Sequence, residues 1–72
     1  MNLCNRLKEI RLQKGLTQES LANAVGVTRQ TIIAVEKEKF VPSVKLALEL
    51  ASALDTPLED LFWLEHNTGG RS

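Results

Sequence analysis

The stretch Gln18 to Val35, QESLANAVGVTRQTIIAV, limits what this chain can become, because its apolar residues and its one glycine fall where two short helices meet at a sharp corner. Thr17 is a good N-cap, since its hydroxyl can accept from an orphan first-turn N–H of a helix that begins at Gln18. Leu21, Ala22 and Val25 then recur at helical spacing and give that helix one buried face. Gly26 stops it, because glycine takes the positive φ of a helix C-terminus without a steric penalty. Val27 fills the corner, and Thr28 caps a second helix that runs through Val35.

Two helices joined by about four residues that include a glycine form a helix-turn-helix. At about 100° per residue, Ile32 and Val35 lie on one side of the second helix, while Arg29, Gln30, Ile33 and Lys37 share an arc on another. The first side is core and the second is free. A free face of this composition suits base reading: Arg bonds guanine O6 and N7 bidentately, Gln bonds adenine N6 and N7, and Ile33 can touch a thymine methyl. An αα-hairpin used only for packing or protein contacts would carry the same two-helix pattern, so the corner by itself does not establish DNA binding.

Gln18, Leu21, Ala22, Gly26, the run Val27 to Ile32, and Glu36 together resemble the Cro/C1-type (XRE) helix-turn-helix family, over about Leu3 to Leu61. Within it, the chain is most similar to short, stand-alone dimeric repressors of the cytolysin repressor type. The resemblance implies an all-α, five-helix, lambda-repressor-like DNA-binding domain over residues 1–65, with room for a short terminal β extension. It implies that the first motif helix lies across the DNA backbone with Gln18 at a phosphate, and that the second enters the major groove. Thr28 and Thr31 would add phosphate or base contacts, and Lys37 and Lys39 phosphate contacts. It also suggests that Arg11, beside the apolar stripe of the first helix of the chain, pairs with Glu36, a contact that holds two helices in register more than it adds net stability. Where the family usually has Glu-Asn-Gly-Lys, this chain has Glu36, Lys37, Glu38 and Lys39. Either the helix runs on by a turn, or Glu38 takes a left-handed conformation at a cost of about 1 kcal/mol relative to glycine.

A net charge of zero suits a nucleic-acid binder poorly until the chain is divided. Residues 1 to 45 hold eight Lys and Arg against four Asp and Glu, net +4; residues 46 to 72 hold one against five, net −4. The basic half contains the motif. With one Cys and one His there is no disulfide framework and no metal-ligand set, so neither metal nor cofactor is expected. No apolar run approaches about 18 residues and no signal peptide is visible, which points to the cytoplasm. At 72 residues the chain is one domain, of a size that buries only about 60% of its unfolded surface.

The remaining segments read as support. Met1 to Cys4 fits either a short strand or the start of a first helix, which carries Leu3, Leu7 and Ile10 until Gly15 ends it. Cys4 reads as a small packing residue rather than a redox thiol. Ser43 caps a fourth helix whose core stripe is Val44, Ala47, Leu50, Ala51 and Leu54, with Leu46 and Leu48 flanking it. Thr56, Pro57, Leu58 and Glu59 read as a capping box with Pro at the first helical position, opening a fifth helix through about Phe62. Leu61, Phe62, Trp63 and Leu64 outlast the core of the domain and are expected to form a dimer interface; the alternative is that Trp63 folds back over its own core. Residues 66–72, HNTGGRS, have the composition of a disordered tail.

One His, one Cys, no glycine-rich phosphate loop and no converging carboxylates disfavour an enzyme. The reading is a sequence-specific transcriptional regulator, a homodimeric repressor of a palindromic operator in double-stranded DNA, with no membrane partner and no evident small-molecule ligand. Its rival is an antitoxin or anti-repressor that uses the same domain as a protein-interaction module.

Overall fold

In the computed structural model, which describes residues 2–66, five helices share one core and the first and last of the described elements pair as a two-stranded sheet. The order is β1 (Asn2–Asn5), α1 (Leu7–Gln13), α2 (Gln18–Val25), α3 (Arg29–Glu36), α4 (Val44–Ala53), α5 (Leu58–Leu61) and β2 (Phe62–Glu65). β2 returns antiparallel to β1, setting Asn2 opposite Glu65, Leu3 opposite Leu64, Cys4 opposite Trp63 and Asn5 opposite Phe62. The five helices stand as expected, but the two-stranded sheet makes the fold not strictly all-α. None of the described helices is long and apolar enough to cross a membrane. The tail expected at residues 66–72 lies, apart from His66, outside the described residues.

Of the two readings of the N-terminus, the strand holds. Asn5 explains where it stops: its Oδ1 accepts from the Leu7 N–H at 2.9 Å, and its Nδ2 donates to the Val35 carbonyl at 3.0 Å. One side chain thus satisfies an orphan N–H of α1 and ties the strand to α3. Leu3 therefore packs against the core from the sheet rather than from α1.

Leu7, Leu21, Ile32, Val35, Leu50, Leu54 and Leu61 form the fully buried centre, so both motif helices and α4 meet on one core. Val44 is a correction to the expected stripe, being 75% exposed. Two residues along a helix are about 200° apart, and it is Leu46, not Val44, that α4 turns inward with Leu50, Ala51 and Leu54. The Thr56 capping box also does not form. Asp55, at φ +51°, swings the chain so that the Thr56 hydroxyl donates to the Leu54 carbonyl at 2.9 Å, an orphan acceptor at the end of α4. α5 is then a single turn without a side-chain cap, and Phe62 opens β2 instead of closing the helix.

Candidate nucleic-acid interface

The corner is built from local chemistry. Thr17 caps α2 by accepting from the Ser20 N–H at 2.9 Å, while the Ser20 hydroxyl accepts from the Thr17 N–H at 2.9 Å. Residue types alone do not signal this reciprocal box, because the usual partner at the third helical residue is Glu or Gln, and here Ser20 fills the position. Gly26 stands at φ +74°, and a Cβ there would meet nothing within 4 Å. Glycine is favoured at that position for its backbone conformation and not for space. The Val27 N–H then reaches the Ala22 carbonyl at 3.0 Å and closes the turn. Thr28 caps α3 through the Thr31 N–H at 3.3 Å, and the two threonine hydroxyls lie 3.1 Å apart, bonded to each other.

α3 presents two faces. Ile32 and Val35 are fully buried, whereas Arg29 and Gln30 are exposed on the first turn, with Ile33 half-buried one turn further on. Lys37 and Lys39 are exposed beyond the helix, separated by Glu38 at φ +61°. Of the two conformations open to Glu38, the left-handed one is adopted, and α3 ends at Glu36.

Arg11, Glu36 and Gln18 come together behind this face. Arg11 Nε donates to Glu36 Oε2 at 2.7 Å and its Nη1 donates to the Leu16 carbonyl at 2.8 Å. Gln18 Nε2 donates to Glu36 Oε1 at 3.1 Å. Gln18 opens α2 as expected, but its amide is not wholly free. This third member of the network was not foreseen, because nothing in residue spacing links position 18 to position 36.

Of the four residues expected at a dimer interface, Phe62, Trp63 and Leu64 border one groove beside α4. Leu61 is fully buried and Phe62 is 8% exposed, both packed in the chain's own core. Strand alternation then separates the others: Leu64 shares a face with Leu3 and Phe62, and Trp63 shares the opposite one with Cys4. Trp63 is half-buried, with the Arg6 guanidinium 5.0 Å from its ring centroid, a cation–π contact within the chain. On the same face the Cys4 thiol donates to Glu65 Oε1 at 3.1 Å. That bond to a carboxylate, with burial adding to it, pushes the thiol up to about 11 and keeps it protonated. Among the described residues no three His, Cys, Asp or Glu side chains are placed to hold a metal.

A helix-turn-helix whose second helix has a buried apolar side and an open Arg and Gln edge has the arrangement of a DNA-binding module. The helix-turn-helix family profile matches residues 7–61, and the chain belongs to that family, in its Cro/C1-type branch. It is 51% identical over 61 residues to the uncharacterized HTH-type transcriptional regulator YgzD of Bacillus subtilis, covering 85% of this chain and 92% of that one. It is 30% identical over 57 residues to the cryptic phage CTXphi transcriptional repressor RstR of Vibrio cholerae, covering 79% of this chain and 51% of that protein. The crystal structure of the restriction-modification controller protein C.AhdI from Aeromonas hydrophila superposes with a TM-score of 0.75 at 42% identity, covering 79% of this chain and 83% of C.AhdI. The protein is a DNA-binding helix-turn-helix transcriptional regulator and not an enzyme.

Proposed function

We propose that the chain is a homodimeric transcriptional repressor that occupies a palindromic operator, with α3 in the major groove of each half-site. The observation that carries this reading is the open side of α3, where Arg29 and Gln30 stand exposed while Ile32 and Val35 hold the opposite side in the core. Arg29 suits guanine, Gln30 adenine and Ile33 a thymine methyl. Lys37 and Lys39 supply cations for the phosphates, and α2 offers first-turn N–H groups and Gln18 to the backbone. Thr28 and Thr31 border the same edge and add hydroxyls. The repressor sense draws on the likeness to RstR.

The dimer face of this reading is a groove of about 340 Å³ between α4 and the sheet, whose lining includes Leu3, Val44, Leu58, Phe62, Trp63 and Leu64. Val44 and Leu64 are 75% and 60% exposed, an apolar rim that a small soluble domain has reason to cover. Pairing two copies across this groove is isologous, and its two-fold axis matches a palindrome. Selecting bound sites from random duplex DNA should yield a palindrome, and sedimentation should give a dimer that Val44→Glu with Leu64→Ser converts to folded monomer. An asymmetric site bound by a single copy would overturn the reading.

A further inference from the structure

We infer that Glu36 is a positioning residue for DNA binding: its carboxylate holds the Gln18 side-chain amide in one orientation toward the phosphate backbone. This deepens the assignment of Gln18 as a phosphate contact and rests on it. Glu36 ends α3 with a side chain only 4% exposed, and its two carboxylate oxygens are used separately. Oε2 accepts from Arg11 Nε and Oε1 from Gln18 Nε2. Arg11 also donates to the Leu16 carbonyl, so the connection just ahead of Gln18 is tied to the same carboxylate.

A carboxylate only accepts hydrogen bonds, whereas a glutamine amide has an acceptor on one arm and two donors on the other. Facing Glu36, the Gln18 amide has one stable arrangement, with Nε2 inward and Oε1 turned away; the flipped amide would set two oxygens against each other. One Nε2 hydrogen is committed to Glu36, and the second is the donor left for a phosphate oxygen. Rotamer freedom that a solvated glutamine would lose on binding is here lost on folding instead. Because Glu36 belongs to α3 and Gln18 to α2, the same contact fixes the phosphate anchor relative to the base-reading face.

Four proteins test this on a duplex enriched by selection from random DNA: wild type, Gln18→Ala, Glu36→Gln and the double variant. Glu36→Gln keeps the size of the side chain and leaves an oxygen for Arg11, but presents an NH₂ group to Gln18, which turns the Gln18 amide over. Gln18→Ala should weaken binding about tenfold, the order of one hydrogen bond to a charged group. Glu36→Gln should change the affinity severalfold only while Gln18 is present, so that in the Gln18→Ala background it has no further effect. Losses that multiply would overturn the inference, as would a Glu36→Gln protein that binds like wild type while Gln18→Ala does not. Gln18→Ala binding like wild type is a different failure, since it removes the phosphate assignment itself. A second measurement needs no variant to fold: in the free wild-type protein the Gln18 side-chain amide should be ordered by ¹⁵N relaxation, unlike those of the exposed Gln13 and Gln30. Equal disorder at all three would overturn the positioning.

Discussion

Glu38 and Asp55 hold left-handed backbone conformations at φ +61° and +51°, in the same role that Gly15 and Gly26 fill at φ +74°. In all four places the following N–H reaches back to a helix carbonyl: Leu16 to Arg11, Val27 to Ala22, Lys39 to Ala34 and Thr56 to Ala51, at 2.9–3.0 Å. The motif is one and the same, but an L side chain in it costs about 1 kcal/mol or more. Glu38→Gly should therefore stabilise the domain by about 1 kcal/mol, a rise in Tm of about 4–8 °C for this size. A melt that falls instead would mean that the Glu38 side chain itself holds the loop. Glu36→Ala should act with the opposite sign, costing about 3 to 5 kcal/mol because Arg11 is left buried and uncompensated. At Cys4 the thiol, raised from 9.0 to about 11, carries about a hundredfold less thiolate at pH 8 than an unperturbed cysteine would. Alkylation of Cys4 in the folded protein should be slower than that of a solvated cysteine, and Glu65→Gln should speed it.

α3 is the element on which recognition and folding separate most cleanly. Arg29 and Gln30 are exposed, so replacing either with Ala should leave Tm nearly unchanged while costing about 1 to 3 kcal/mol at one operator position. Lys39→Ala should instead weaken binding to operator and random duplexes alike, and lower the salt slope by about one counterion. Equal effects of Arg29→Ala and Lys39→Ala on both duplexes would reject the assignment of α3 to the major groove. The start of α2 is a stability element by comparison: removing the Thr17 cap costs about 1 kcal/mol without touching a base.

Closure of the chain on itself is a property of the whole molecule. β1 and β2 join residues 2–5 to residues 62–65, and the Arg6 N–H donates to the Leu61 carbonyl at 3.1 Å where the two segments leave the sheet. Asn5 carries this closure into the DNA-binding motif, because it bonds α1 on one side and the Val35 carbonyl of α3 on the other. Asn5→Ala should cost about 1 to 3 kcal/mol, the penalty for leaving a partly buried donor and acceptor unpaired. A melt within experimental error of wild type would show that water replaces both bonds.

The helix-turn-helix was legible in the sequence because its determinants are local. Thr17, Gly26 and Thr28 act on their own backbone or on that of residues three positions away, and the spacing of Leu21, Ala22, Ile32 and Val35 assigns the buried side whatever they pack against. The open face of α3 follows from the same periodicity. The sheet was not decided there, since β1 acquires its identity from a partner at the other end of the chain, and a short run such as Asn2 to Asn5 suits a strand or a helix start equally well. For the same reason residue spacing does not give the arrangement of Leu61 to Leu64: once β2 pairs with β1, alternation turns Leu64 and Trp63 to opposite faces, while the core holds Leu61 and Phe62. Val44 and Leu46 exchanged places because an amphipathic stripe on an almost wholly apolar helix does not say which side faces inward. The link from Gln18 to Glu36 joins two helices through side chains alone, and only the packing of α2 against α3 brings them within hydrogen-bonding distance.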